Sequence, residues 1–108
     1  MKESPVYDFC PRFHQAVELI GRRWTGAIVR MLLSGPMRFS ALAAAIPDIS
    51  DRMLSERLRE LEAEGIVART VYPETPVRIE YALTERGRAL EGAIKAIGSW
   101  AEEWIPLP

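Results

Sequence analysis

The chain changes its hydrophobic period once, at Gly65, and that change limits what it can fold into. Before it, Leu54, Leu58 and Leu61 recur at i, i+4 and i+7, the spacing of a buried helical stripe. After it, Val67, Arg69 and Val71 alternate with Ala68 and Thr70. Beyond Tyr72-Pro73-Glu74-Thr75-Pro76, the residues Val77, Ile79, Tyr81 and Leu83 alternate with Arg78, Glu80 and Ala82. Two alternating runs across a short proline-bearing loop predict an antiparallel hairpin. Ser50 or Asp51 caps the preceding helix, Asp51 to Glu64, and Gly65 occupies its left-handed C-terminal cap.

Three further helices precede that one. Pro11, after Cys10, suits a first helical position, and Phe13, Ala16, Val17 and Ile20 follow at helical spacing up to Gly21. A second run covers Trp24 to Leu33, with Ile28, Met31 and Leu32 on one side, and Ser34-Gly35-Pro36 stops it. A short third helix, Phe39 to Ile46, carries Phe39, Leu42, Ala43 and Ile46 on one stripe. After the hairpin, Thr84 caps one long final helix that Pro106 ends. Helix, helix, short helix, turn, helix, hairpin, helix is the order of a winged helix-turn-helix. The predicted fold is mainly α with a two-stranded β wing, a single domain over 1–108.

Composition narrows the function. Of 108 residues, 48% are hydrophobic and 27% charged, a soluble globular balance. The longest apolar run, Ala41 to Ile46, is far short of a membrane span, and Met1 to Phe9 lacks the apolar core of a secretory signal. No membrane partner is expected, and the expected location is cytoplasmic, at the nucleoid. One cysteine and one histidine leave no basis for a structural metal site or an internal disulfide, and no cofactor is expected. Cys10 and His14 lack an orienting third residue, so no enzyme is expected either.

The net charge of −1 argues against indiscriminate polyanion binding. Any contact with double-stranded DNA must come from a few placed arginines, and all basic residues except Lys2 and Lys95 are arginine. Arginine suits bidentate contacts to guanine and phosphate. With Leu54 at the centre of the buried face, Arg52, Ser55, Glu56 and Arg59 fall on the opposite side, which a major groove can accept. Ser50, at the start of that helix, is counted with them. The alternative is a solvated face with ion pairs such as Arg52 with Glu56.

Arg78 beside the hairpin loop, and Arg69 across from it, are candidate phosphate contacts, or else ordinary edge-strand charges. Glu74 at the tip opposes DNA binding. Arg38, just before the third helix, is a candidate phosphate clamp beside that helix's amides, or plain surface charge. A winged-helix module for protein contacts, without DNA affinity, is the other reading of the whole chain.

The final helix spaces Leu90, Ile94, Ile97, Ala101 and Trp104 by four, three, four and three, with Trp100 at the edge. That is an a/d seam, either covering the domain's own core or joining two copies. Terminal tryptophans favour a subunit contact, with Phe9, Phe13 and Val17 of the first helix as the second contributor. A two-fold dimer would hold its reading helices about 34 Å apart over an inverted repeat.

Several stretches, in order over about residues 9–104, resemble the HxlR-type winged-helix regulators. They are Cys10-Pro11, Glu18 to Thr25, Arg38 to Leu42, Ile49-Ser50, Leu54 to Glu62, Gly65 to Val67, Arg69, Tyr72 to Tyr81, Leu83-Thr84 and Gly87. The family's usual Gly-Gly-Lys-Trp is Gly21-Arg22-Arg23-Trp24 here, and its frequent proline pair is Pro76-Val77. The resemblance implies bacterial, homodimeric, sequence-specific DNA-binding regulators related to the MarR-type proteins. Some members of the resembled family sense oxidants or electrophiles with a cysteine at the position of Cys10. A helix N-terminus favours a thiolate there. The plainer reading of Cys10 is a small buried hydrophobe that holds the first helix in place. An oxidant or small-molecule effector is therefore an expected partner only on the first reading.

Overall fold

A computed structural model describes residues 8–108. The described elements run α1 (Pro11–Ile20), α2 (Thr25–Leu32), β1 (Met37–Arg38), α3 (Phe39–Ala45), α4 (Asp51–Ala63), β2 (Val67–Tyr72), β3 (Arg78–Leu83), α5 (Glu85–Arg88) and α6 (Glu91–Trp104). The helical stripes read from the sequence converge on one core. Ile28, Val29 and Leu32 of α2 meet Leu42 and Ile46, the Leu54, Leu58 and Leu61 stripe of α4, and Ile66, Val67, Leu83 and Ile94. Each such side chain contributes about 1.5–3 kcal/mol by leaving water.

Two expectations change. The wing is part of a three-stranded antiparallel sheet, in the order β1-β3-β2. Met37 and Arg38 pair with Tyr81 and Glu80, on the free edge of β3. Two residues after a Ser34-Gly35-Pro36 turn are too few to show an alternating pattern, so the third strand leaves no periodic trace.

The single final helix is two. Thr84 caps the four-residue α5, its Oγ1 accepting from the Gly87 amide at 3.1 Å. The same hydroxyl donates to the Gly65 carbonyl at 2.5 Å, and the Thr84 amide donates to the Ile66 carbonyl at 3.0 Å. These bonds pin α5 to the start of β2. The chain turns through Ala89 and Leu90, where the Leu90 amide reaches the Gly87 carbonyl at 3.1 Å, before α6 begins. No glycine or proline stands at 89–90, so helical spacing alone runs straight through the break.

Gly65 has the expected left-handed backbone, φ +73°. Two non-glycine residues are also left-handed: Asp48, φ 68°, after Pro47, and, unexpectedly, Trp24 ahead of α2, φ 77°. L-residues rarely adopt this conformation, and the corner Gly21–Trp24 is held by contacts described below.

α1 differs from every other long helix. None of its residues is buried. A ten-residue helix is marginal in water without a packed face.

Candidate nucleic-acid interface

The DNA-facing candidates are positioned by α4. Its N-cap is Ser50, whose Oγ accepts from the Met53 amide at 3.0 Å. Ser50 thus satisfies one of the helix's free amides and sets its start. Leu54, Leu58 and Leu61 hold the inner side in the core. Arg52 and Arg59 stand exposed on the outer side, with Ser55 and Glu56 half-buried between them. The outer face agrees with the helical wheel. It also contains the expected ion pair: Arg52 Nε donates to Glu56 Oε1 at 3.3 Å. With Arg52 89% exposed, that pair contributes little to stability and is easily exchanged for another acceptor. Arg59 enters no ion pair among the described residues.

The wing corrects two placements. Arg69 faces Tyr81 across the sheet, and Arg78 faces Tyr72, so Arg69 is not opposite Arg78. Arg69 is exposed toward the base of the hairpin, while Arg78 stands at its tip. Arg78 is also engaged within the wing. Its Nη2 donates to Glu74 at 2.8 Å and its Nη1 to Glu80 at 2.6 Å. Its guanidinium lies over the Tyr72 ring, 3.8 Å from the centroid. The Arg78 hydrogen bond holds the Glu74 carboxyl below its ordinary range, and the two carboxylates raise Arg78 further. At neutral pH Arg78 and Glu74 stay charged and closed on one another. Glu74, unhelpful to DNA when read alone, is the brace of the tip, and Arg78 is no free phosphate clamp. Arg38 sits in β1 opposite Glu80, exposed and unpaired among the described residues.

One buried charged side chain escaped the sequence reading. Arg57 is buried on α4, 8% exposed. Its Nε donates to the Arg23 carbonyl at 2.9 Å, and its Nη1 to both Glu60 oxygens at 3.3 and 3.2 Å. Glu60 also holds Arg22 at 3.3 Å. The signal was present: at about 100° per residue, Arg57 lies roughly 60° from Leu54, inside the buried arc. The same network also balances the charge of Glu60 on α4.

The thiol and the apolar seam divide differently from expectation. Cys10 is exposed, so the buried-hydrophobe reading fails. Its Sγ caps α1 by accepting from the Phe13 amide at 3.5 Å. Phe9, Phe13 and Val17, with Ile97, Trp100 and Trp104, are large apolar side chains left exposed. Ile94 is not on a free seam: it is 7% exposed, inside its own core, with Leu90 packed against that core. Ala101 is half-buried. Leu90 and Ile94 lie at the start of the stripe, against the core, while Ile97, Trp100 and Trp104 lie further along α6 and outside it. Among the described residues there is no cluster of three metal-binding side chains, and no helix is long and apolar enough to cross a membrane.

Known proteins share this arrangement. The HxlR-like helix-turn-helix family matches residues 19–107. The HTH-type transcriptional regulator YvaP of Bacillus subtilis (strain 168) is 55% identical over 98 residues, 91% of each chain. The reduced form of the transcriptional regulator YodB from B. subtilis has a TM-score of 0.81 at 45% identity, over 91% of this chain and 96% of that one. The redox regulator HypR in its oxidised form has a TM-score of 0.85 at 39% identity, over 91% of this chain and all (100%) of that one. YodB is also solved bound to a quinone, with a TM-score of 0.77 at 41% identity, over 89% of this chain and 100% of that one. The winged-helix body, the outward face of α4 and this likeness over nearly the whole chain agree: the protein belongs to the HxlR-like helix-turn-helix family of transcriptional regulators.

Proposed function

We propose that the protein acts as a homodimer that binds an inverted-repeat operator in double-stranded DNA. It works at the nucleoid, in the cytoplasm. α4 enters the major groove. Arg52, Ser55, Glu56 and Arg59 contact bases there, while Arg38 and Arg69 contact phosphates. The observation that carries this reading is the split of α4. One side is locked into the core by three leucines, and the other presents two exposed arginines beside a braced wing. An inner side so fixed presents the outer side at one angle, which groove recognition needs.

The test is binding, across a salt series, of a promoter fragment enriched from genomic DNA on the purified protein. Affinity is expected to fall steeply with salt, because several phosphates are neutralised. Arg59→Ala is expected to weaken specific binding roughly 5- to 150-fold, the scale of a lost bidentate base contact of about 1–3 kcal/mol. A flat salt response, or unchanged binding by Arg59→Ala, would give the protein-contact reading the stronger claim.

Cys10 is the site at which an oxidant or electrophile acts. Its exposure and its place at the start of α1 support this, as do relatives described as a redox regulator and as quinone-bound. The chain has no second cysteine, so the product is an adduct, a sulfenic acid or a disulfide between subunits or with a small thiol. Diamide or benzoquinone is expected to release the parent protein from DNA, and Cys10→Ser to stay bound at the same dose. Equal release of both proteins would remove Cys10 from the mechanism.

A further inference from the structure

Arg57 is the one charged side chain buried among the described residues. It ties the middle of α4 to the corner where the chain leaves α1 and enters α2. Its Nε bonds the Arg23 carbonyl at 2.9 Å. Its Nη1 grips Glu60, which in turn holds Arg22 at 3.3 Å. Arg23 lies over the Trp24 ring, 5.0 Å from its centroid, and Trp24 carries the left-handed turn. Thr25, next in the chain, is 1% exposed. The corner is therefore fixed by polar bonds to α4 as well as by packing.

A buried ion pair is a poor way to gain stability, since apolar side chains in place of both partners often do as well, although removing one partner alone is costly. What the guanidinium adds is direction. Its planar fork satisfies a carbonyl and a carboxylate at once and allows only one rotation of α4 against the corner. Leucines alone tolerate small slides of one helix on another, because apolar contact carries no directional bond.

We propose that Arg57 is a positioning residue for DNA recognition: it sets the angle at which α4 presents Arg52 and Arg59, without touching DNA itself. This rests on the reading of α4 as the DNA-facing helix.

The test compares the parent with Arg57→Met, Arg57→Lys and Glu60→Gln. Three quantities are read: affinity for the promoter fragment, affinity for unrelated DNA, and hydrogen exchange at the Trp24 and Thr25 amides. Arg57→Met is expected to fold but to melt below the parent, because the Arg23 carbonyl and Glu60 lose their donor, and to lose at least 10-fold in promoter affinity. Its affinity for unrelated DNA and its salt slope are expected to stay, because no phosphate contact is lost. Arg57→Lys is expected to recover part of the loss. Trp24 and Thr25 are expected to exchange faster in Arg57→Met. A folded Arg57→Met with the parent's ratio of promoter to unrelated binding overturns the proposal. So does a reduced salt slope, which would make Arg57 a phosphate contact. If Arg57→Met does not fold, Glu60→Gln decides. It keeps the Arg23 carbonyl bond and is expected to lower the same ratio about 3-fold; an unchanged ratio overturns the proposal. If the parent ignores DNA altogether, the DNA reading fails by itself. The exchange rates then still decide whether Arg57 holds the corner.

Discussion

Trp100→Glu is expected to leave the protein monomeric and to weaken operator binding by roughly 10²- to 10⁴-fold, the avidity of two linked half-sites. Trp100 is 58% exposed on α6, close to Ile97 at 58% and Trp104 at 65%. Phe9, just before α1, and Phe13 and Val17 on it are similarly bare. Aromatic side chains bury about 150–250 Å² each, and a stable interface needs about 800 Å² from each partner. These two helices can supply much of that area. A carboxylate in the middle of such a contact loses its water without gaining a partner, and the nearby Glu102 and Glu103 add repulsion. The body of the domain does not use Trp100, so the core should remain folded. α1, with none of its residues buried, should lose helix when its partner leaves. Sedimentation, circular dichroism and binding to the promoter fragment read the three effects. A dimeric Trp100→Glu protein, or a monomer that binds as tightly as the parent, would refute the role of this face.

Gly87→Ala is expected to cost about 2–4 kcal/mol, by forcing the backbone apart in a tight crossing. A Cβ at Gly87 would stand 2.2 Å from the Ile66 carbonyl oxygen and 3.1 Å from Leu83 Cδ2. Ile66 is 2% exposed, and its carbonyl receives the Thr84 amide, so the oxygen cannot withdraw without breaking the join between wing and α5. For a domain of this size the loss amounts to a fall of roughly 10–25 °C in melting temperature. Gly92→Ala is the control. Nothing lies within 4 Å of a Cβ there, and α6 should gain a few tenths to about 1 kcal/mol from the better helix former. Both are melted at one protein concentration, because dimerisation raises stability with concentration. Equal melting of Gly87→Ala and the parent would mean that the crossing gives way more easily than its geometry indicates.

The two substitutions probe opposite kinds of information. The a/d spacing along the final helix was legible in the chain, and so was the outer arc of α4, because helical periodicity sorts residues into faces without reference to the rest of the fold. The hairpin was legible for the same reason, with period 2. Spacing cannot say which of several faces is covered by the chain's own core. Ile94 and Trp104 stand on one stripe, yet one is buried and the other bare, because only the first part of that stripe meets the core.

Charges were the least legible. Arg52, Arg57, Arg59, Arg69 and Arg78 look alike along the chain. Partners from distant positions separate them: Glu74 and Glu80 engage Arg78, and the Arg23 carbonyl, 34 residues away, engages Arg57. Local patterning determined the helices, the wing and the outward face of α4, since each depends on neighbours within a turn or a strand. Tertiary structure decided which arginines stand exposed and unpaired and which are engaged within the fold. It also decided that Cys10 is open to solvent, because burial and ion pairing depend on residues brought together only by folding.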